Sequence, residues 1–419
     1  MRGRHYKWLL VAMLSGAFFF HQADRALFGL LTVPIQKDLS LTDVQIGWIN
    51  TTLSWTLAAM TVVAGFLGDR FSRKWIITLS LIAWSLMTVG MGFIGGFLGA
   101  LLLRSIATGV GESFYAPSAY ALIAAQHRES RSLALSIHQS ALYVGLMISG
   151  VLVAWAMDVL GGWRHVFVAF GAAGVLLGVG FVFWLRDDRP PAVGVRPREA
   201  SVNARASVAA GLRAYFANPS ALCATAGFVA IVFVNNAYLF WAPKFAAEKF
   251  ALDVGAAGRG VMFGHHLCAL VAILAGGAIT DKFVRRYPRF RLGFQILALL
   301  GGAPMLLGLG LSSSFTAFLV AAAAYGVFRG CFEVNTHASL FDVVPPEHRS
   351  TAVGLLNMVA FFFGGLSGVA MGALSQRWGV RGFEIGFGIM AGAYLLAAAL
   401  MSVSFFFTFK RNRVSASVL

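Results

Sequence analysis

Hydrophobic positions in this chain come in long unbroken runs, with neither the one-sided helical spacing nor the alternation of a soluble protein. The runs fall near residues 8–31, 46–67, 75–94, 97–124, 133–158 and 164–185, and again near 220–243, 257–279, 291–311, 315–342, 350–375 and 383–409. Each can cross a hydrocarbon layer about 30 Å thick at about 1.5 Å per helical residue, so each predicts one membrane-spanning helix. The first run begins as a signal peptide would. It continues through Asp24 and Arg25 with no small-residue cleavage site, and so reads as a retained span. Between the two sets lies a polar stretch with Pro190, Pro191 and Pro197. The prediction is an all-α integral membrane fold of twelve transmembrane helices. Two six-helix bundles, at 1–185 and 219–419, are joined by a cytoplasmic linker at 186–218.

The polar loops carry a repeat. Gly65-Phe-Leu-Gly-Asp-Arg-Phe-Ser-Arg-Lys74 joins spans 2 and 3 and places Asp69, Arg70, Arg73 and Lys74 close together. Gly65 and Gly68 let two helices approach closely. Asp69 can cap a neighbouring helix end, and the cluster can exchange charge pairs as helices slide. A weaker copy, Gly277-Ala-Ile-Thr-Asp-Lys-Phe-Val-Arg-Arg286, joins spans 8 and 9 and includes Asp281 and Arg285. Two such loops at matching places indicate a duplication, so the bundles are predicted to be pseudo-symmetric.

Composition agrees: 58% of the 419 residues are hydrophobic, 12% are charged, and mean hydropathy is +0.75. No soluble fold of this size needs so little polar surface. A net charge of +16 would suggest nucleic acid in a soluble chain, but no basic run or base-stacking platform accompanies it. The charges instead report orientation. With both termini inside, the outer loops carry Lys37, Arg164, Lys244, Lys249, Arg259, Arg377 and Arg381, while Arg25, Arg104 and Arg329 lie within spans. All other Lys and Arg fall on the inner side, which predicts cytoplasmic termini in a cell (inner) membrane. Cys223, Cys268 and Cys331 sit in apolar spans, without the spacing of a disulfide framework or a metal site. No nucleophile elbow or nucleotide-binding loop is present, which argues against an enzyme or an ATP-driven pump.

Charges inside spans are costly and usually have a partner or a task. Span 1 carries His21, Asp24 and Arg25 on one helical face. A purely structural Asp24–Arg25 pair is disfavoured, because adjacent residues on a helix point about 100° apart. Asp24 and Arg104 of span 4 lie at similar depth and are predicted to pair, with Glu112 deeper by roughly 12 Å and placed to carry a proton. Span 10 carries Arg329, Glu333 and His337 spaced by four, either a salt-bridged strip or part of a site. Asn235 and Asn236 of span 7, Asn335 of span 10 and Asn357 of span 11 can bond a polar solute or glue helices. His138, Gln139 and Tyr143 make a further polar patch in span 5. His265 and His266 read as packed histidines, and Gly364, Gly368 and Gly372 as one close-packing seam. Arg25, Arg104 and Arg329 balance Asp24, Glu112 and Glu333. One proton taken up by a carboxyl therefore releases one arginine for one anion.

The twelve spans in related halves and the G-x-L-x-D-R-x-x-R-K loop resemble the major facilitator superfamily. Arg104 with Gly109, Arg131-Ser132 opening span 5 and its echo Arg349-Ser350 opening span 11 add to the resemblance. It implies secondary transport by alternating access, with a substrate site near the midplane between the halves. It also implies a monomer in the lipid bilayer that needs no cofactor and handles a small-molecule substrate and protons. The antiporter signature of span 5 is absent, since Val151 follows Gly150. Within the superfamily, Asp-Arg in span 1, Arg and Glu in span 4 and His-Arg-Glu-Ser-Arg-Ser entering span 5 resemble the organic anion:cation symporters, which take up sugar acids. That branch implies protons on Asp24 and Glu112 and the anion on Arg25 and Arg104. The interval from Arg104 to Glu112 is one residue wider than two turns. Asp-Arg in span 1 together with Gly109-Val-Gly-Glu112 also resembles the Spinster-like lysolipid transporters. A neutral sugar is the third reading.

Overall fold

A computed structural model describes residues 2–68, 71–127, 130–186, 211–284, 286–345 and 348–414. Among them there is no strand, and twelve long helices follow in chain order. They are α1 (Arg2–Leu30), α2 (Asp43–Gly68), α3 (Arg73–Met91), α4 (Phe97–Gln126), α5 (Arg131–Leu160) and α6 (Trp163–Trp184), then α7 (Pro219–Phe250), α8 (Val254–Val284), α9 (Phe290–Leu311), α10 (Phe315–Phe341), α11 (Arg349–Trp378) and α12 (Val380–Asn412). Ten are long and apolar enough to cross a membrane. The other two are α1, diluted by Asp24 and Arg25, and α2. Most of the predicted linker, residues 187–210, lies outside the described residues.

Two compact units emerge. One comprises Met1–Pro191, Asn236–Leu267 and Gly365–Phe383, and the other Ala192–Asn235, Cys268–Gly364 and Glu384–Leu419. In the first unit α3 packs chiefly on α6, and α1 on α5. The α3–α6 seam is a glycine face: a Cβ at Gly171 would lie 2.5 Å from the Val89 amide, and one at Gly178 2.5 Å from Ile82, with Gly174 against Ser85 between them. Close approach of this kind replaces the hydrophobic drive that lipid removes. Leu14, Phe18, Leu81, Trp84, Tyr115 and Phe181 fill the centre between α1, α3, α4 and α6.

Parts of α7, α8 and α11 belong to this unit because they pack against α1, α2 and α5. Gly365, Gly368 and Gly372 of α11 face Ser54, Gly47 and Asp43 of α2. The seam therefore runs at i, i+3 and i+7, while Gly364 packs instead on Val232 of α7. The four-residue ladder expected from Gly364 drifts about 40° per step off a 3.6-residue face, which is why its first rung belongs elsewhere. At the end of the seam Lys244, expected in an outer loop, is 3% exposed. It donates to Asp43 and to Gln36 Oε1 (2.6 Å), and Ser375 donates to Asp43 Oδ2 at 2.6 Å. A buried ammonium needs such a cage, and three helices with the short helix Thr32–Leu39 supply it.

In the second unit α9 packs on α10, where Gly301 makes room for the Phe328 ring. The α10 helix breaks at Val334–Asn335, and Asn335 donates from Nδ2 to Thr280 Oγ1 of α8 at 3.1 Å. Arg329 and Glu333 of the predicted strip are paired, and His337, beyond the break, faces the ring of Phe228 at 6.5 Å and stays within electrostatic reach of Glu333.

Gly171→Leu should cost about 1–3 kcal/mol by overpacking a backbone contact. Gly180→Leu, where the nearest atoms are the Trp184 ring 3.7 Å away, should stay within about 0.5 kcal/mol. Thermal unfolding in detergent compares the two.

Candidate functional site

Four charges meet inside the first unit. Asp24 (5% exposed), Arg104 (3%) and Glu112 (2%) are buried with His21 (5%), whereas one-fifth of the Arg25 side chain is exposed. Arg104 binds the kink-free turn of α1 at three points. Its Nη1 lies 3.4 Å from Asp24 Oδ2, and its Nη2 donates to the carbonyls of Asp24 (3.3 Å) and Arg25 (3.1 Å). Thr88 of α3 shares its hydroxyl proton between Asp24 Oδ1 (3.0 Å) and its own helix at Trp84 O (3.1 Å). Asp24 is therefore tied by hydrogen bonds from two helices.

Glu112 is held differently. Its oxygens lie 3.7 Å from Arg104 Nη1, 3.8 Å from Arg25 Nε and 3.7 Å from His21 Nε2. All three separations exceed a hydrogen bond. The Gln22 amide lies 2.9 Å from His21 Nδ1 and can only donate there, so a neutral His21 carries its proton on Nε2, toward Glu112. Asp24 and Glu112 both face Arg104 Nη1, at 3.4 and 3.7 Å. Two guanidinium groups face two carboxylates, and the set is neutral.

The position of Glu112 corrects the expectation that it sits apart, deeper than the Asp24–Arg104 pair. In a regular α-helix an interval of eight residues overshoots two turns by about 80°, which would turn Glu112 away from Arg104. The segment Leu101–Ala107 is instead a π-helix, and the Thr108 amide bonds back five residues to Leu103 O. The wide turn absorbs the surplus residue, so Arg104 and Glu112 share a face. Single-turn π-bulges are frequent at functional sites.

The other predicted residues divide by unit. His138 lies flat on Phe18 (4.6 Å, 9°) with Tyr115 Oη 3.3 Å from its Nε2. Tyr115 and Phe18 in turn stack toward His21 at 5.9 and 5.8 Å, so His138 joins the charge cluster through aromatic rings. Gln139 is exposed and accepts from Tyr120, while Tyr143 is buried. Asn236 of α7 reaches Ser54 of α2 at 3.4 Å. In the second unit Arg329 Nη2 lies 3.3 Å from Glu333 Oε2, Asn335 binds Thr280, and Asn235 and Asn357 are half-buried. His265 packs on Tyr238 at 4.3 Å, and His266 Nδ1 lies 2.8 Å from Met262 O. Among the described residues no three His, Cys, Asp or Glu side chains gather as metal ligands. Two contributors were not anticipated. Gln22 is marked by its place beside His21 and Asp24, but nothing distinguishes Thr88 from other span threonines.

The model of the Major Facilitator Superfamily matches residues 13–306 and 267–417, nearly the whole chain. The chain belongs to this superfamily. Human protein spinster homolog 1 is 28% identical over 393 residues, covering 88% of this chain and 73% of that protein. The Escherichia coli "Probable galactarate/D-glucarate transporter GudP" is 24% identical over 429 residues, covering 94% and 92%, and its Bacillus subtilis namesake is 31% identical over 202 residues, covering 47% and 44%. The fold is similar to a crystal structure of a bacterial homolog to the human lysosomal transporter Spinster, inward-facing and unoccupied. The TM-score is 0.84 at 21% identity, covering 98% of this chain and 99% of that one. The protein is a multi-pass membrane transporter with the superfamily's all-α fold of two six-helix bundles, and not an enzyme.

Of the superfamily loop between α2 and α3, Asp69 and Arg70 lie outside the described residues, as does Arg285 of the second copy. Gly65 and Gly68 fall in the last turn of α2, Arg73 opens α3, and Lys74 lies over the Trp75 ring at 5.2 Å. Asp281 is exposed near the end of α8.

Arg104→Met should lower stability by about 3–5 kcal/mol, since it strands two buried carboxylates. Adding Asp24→Asn should recover at least half of that loss. Thermal midpoints of the single and double variants in one detergent measure both effects.

Proposed function

We propose that the protein is a proton-coupled symporter for a small organic anion, such as a sugar acid, in the cell membrane with both termini cytoplasmic. The observation that carries this reading is the neutral set Asp24, Arg25, Arg104 and Glu112, in which Arg25 alone keeps a substantially exposed side chain. Asp24 is fixed by Thr88 and Arg104, so Glu112, held by contacts longer than hydrogen bonds, takes the proton. Its protonation leaves Arg25 without its counter-charge, and the guanidinium of this partly exposed side chain then receives the anion in a bidentate fork. Proton and anion enter together because the empty set is balanced and the half-loaded one is not. Arg329 and Glu333 are assigned the equivalent balance in the second bundle. Asn235, Asn236, Asn335, Asn357, His138, Gln139 and Tyr143 are assigned to hold the neutral parts of the solute. The paired loops containing Asp69, Arg70, Arg73, Lys74, Asp281 and Arg285 are assigned to the change of access.

The galactarate/D-glucarate relatives support a dicarboxylate sugar acid as the first solute to try. A second reading, a Spinster-like lysolipid transporter, is supported by relatives covering 88% of this chain. It would use the same arginines on a phosphate.

The test is uptake of labelled glucarate and of a lysophospholipid into proteoliposomes with an imposed pH gradient. Glucarate should accumulate uphill. Glu112→Gln should abolish accumulation yet keep exchange of solute across the membrane, because an amide preserves shape but carries no proton. Arg25→Lys should weaken affinity roughly tenfold. Affinity should rise as pH falls, by at most about tenfold per unit for one linked proton. Accumulation of the lysophospholipid alone would select the second reading. Full accumulation by Glu112→Gln would place the proton elsewhere.

A further inference from the structure

The second unit carries a groove that lies outside the residues assigned above to transport. It lies between the start of α9 and the end of α12 and measures about 820 Å³. Its walls are aromatic: Phe290 and Phe294 stack at 5.7 Å on one side, and Phe405 and Phe406 stand opposite. Gly293 lets the Phe405 ring approach α9 closely, since a Cβ there would lie 3.2 Å from that ring. The Phe405 wall lies in a π-helical stretch, Ser404–Thr408. At the polar end the lining changes to Arg289, Lys410 and Arg413, and Arg289 sits 5.5 Å from the Phe405 ring.

Among the described residues no carboxylate lines the groove. The nearby acid, Asp342, is engaged by Arg291 at 2.8 and 3.1 Å and also feels Arg413 and Arg349. The cations sit where an apolar helix gives way to a basic loop, which in a bilayer is the level of lipid phosphates. A soluble anion would have no use for the phenylalanine trough. An uncharged lipid would have none for three cations.

We propose that this groove binds an anionic diacyl phospholipid of the leaflet beside the basic loops. The phosphate lies among Arg289, Lys410 and Arg413, and an acyl chain runs along Phe294 and Leu297.

The experiment uses the full-length protein in phosphatidylcholine nanodiscs doped with phosphatidylglycerol that carries a photoreactive acyl chain. Labelling should map to the peptides holding Phe294, Leu297, Phe405 and Phe406. Unlabelled phosphatidylglycerol should compete, while phosphatidylcholine and inorganic phosphate should not. Arg289→Gln, Lys410→Gln and Arg413→Gln combined should reduce the preference for phosphatidylglycerol over phosphatidylcholine roughly a hundredfold. Gly293→Leu should block the labelling by filling the trough, with folding checked by its thermal midpoint. If that variant fails to fold, the glutamine variant decides. Labelling spread evenly around the protein, equal competition by phosphatidylcholine, or an unchanged preference in the glutamine variant would overturn the proposal. Displacement by inorganic phosphate would make the groove an anion site and overturn the lipid.

Discussion

Arg104, 3% exposed, stands between the carboxylates of Asp24 and Glu112, and removing any of the three would leave an uncompensated charge in a medium that cannot solvate it. Burying an ion without a partner costs several kcal/mol, far more than any single packing contact supplies. Much of the local structure follows from this constraint. Arg104 also binds two carbonyls of α1, so the charge set holds α1 to α4 as well as neutralising itself. Thr88 brings α3 to the same point. Glycine seams along α3–α6 and α2–α11 set helix distances in lipid, where apolar surface gains little from contact.

The same balance connects structure to transport. In the proposed mechanism a fully neutral set is stable but inert, whereas a set one proton richer leaves one arginine without its counter-charge. Asp24 and Glu112 differ chemically because their surroundings differ. One accepts a hydroxyl and lies against a guanidinium, and the other meets three groups only at 3.7–3.8 Å. In that proposal two carboxylates around one arginine link proton number to anion occupancy by charge alone.

Most of the fold was legible because membrane helices announce themselves by length and hydropathy. The Asp24–Arg104 pair was legible too, from depth counted at 1.5 Å per residue. Glu112 was misplaced because the count assumed an unbroken α-helix. The eight-residue interval did carry the signal, and the π-helix at Leu101–Ala107 explains it. The same assumption failed at Asn335, where α10 breaks between Glu333 and His337. Lys244 sits at the edge of an apolar run and counts as a loop residue in one dimension. Its cage of Gln36, Asp43 and Ser375 comes from residues far apart in the chain, and no local pattern reveals it. Thr88 is invisible for a similar reason, since a span threonine usually bonds its own helix, as this one also does.

Counting protons bound with the anion tests the central claim most directly. Purified protein in weakly buffered detergent, with a pH indicator, is titrated with glucarate at a pH where it binds. The account predicts uptake of about one proton for each anion bound, abolished by Glu112→Gln. Binding with no proton uptake, or with the same uptake in Glu112→Gln, would contradict it.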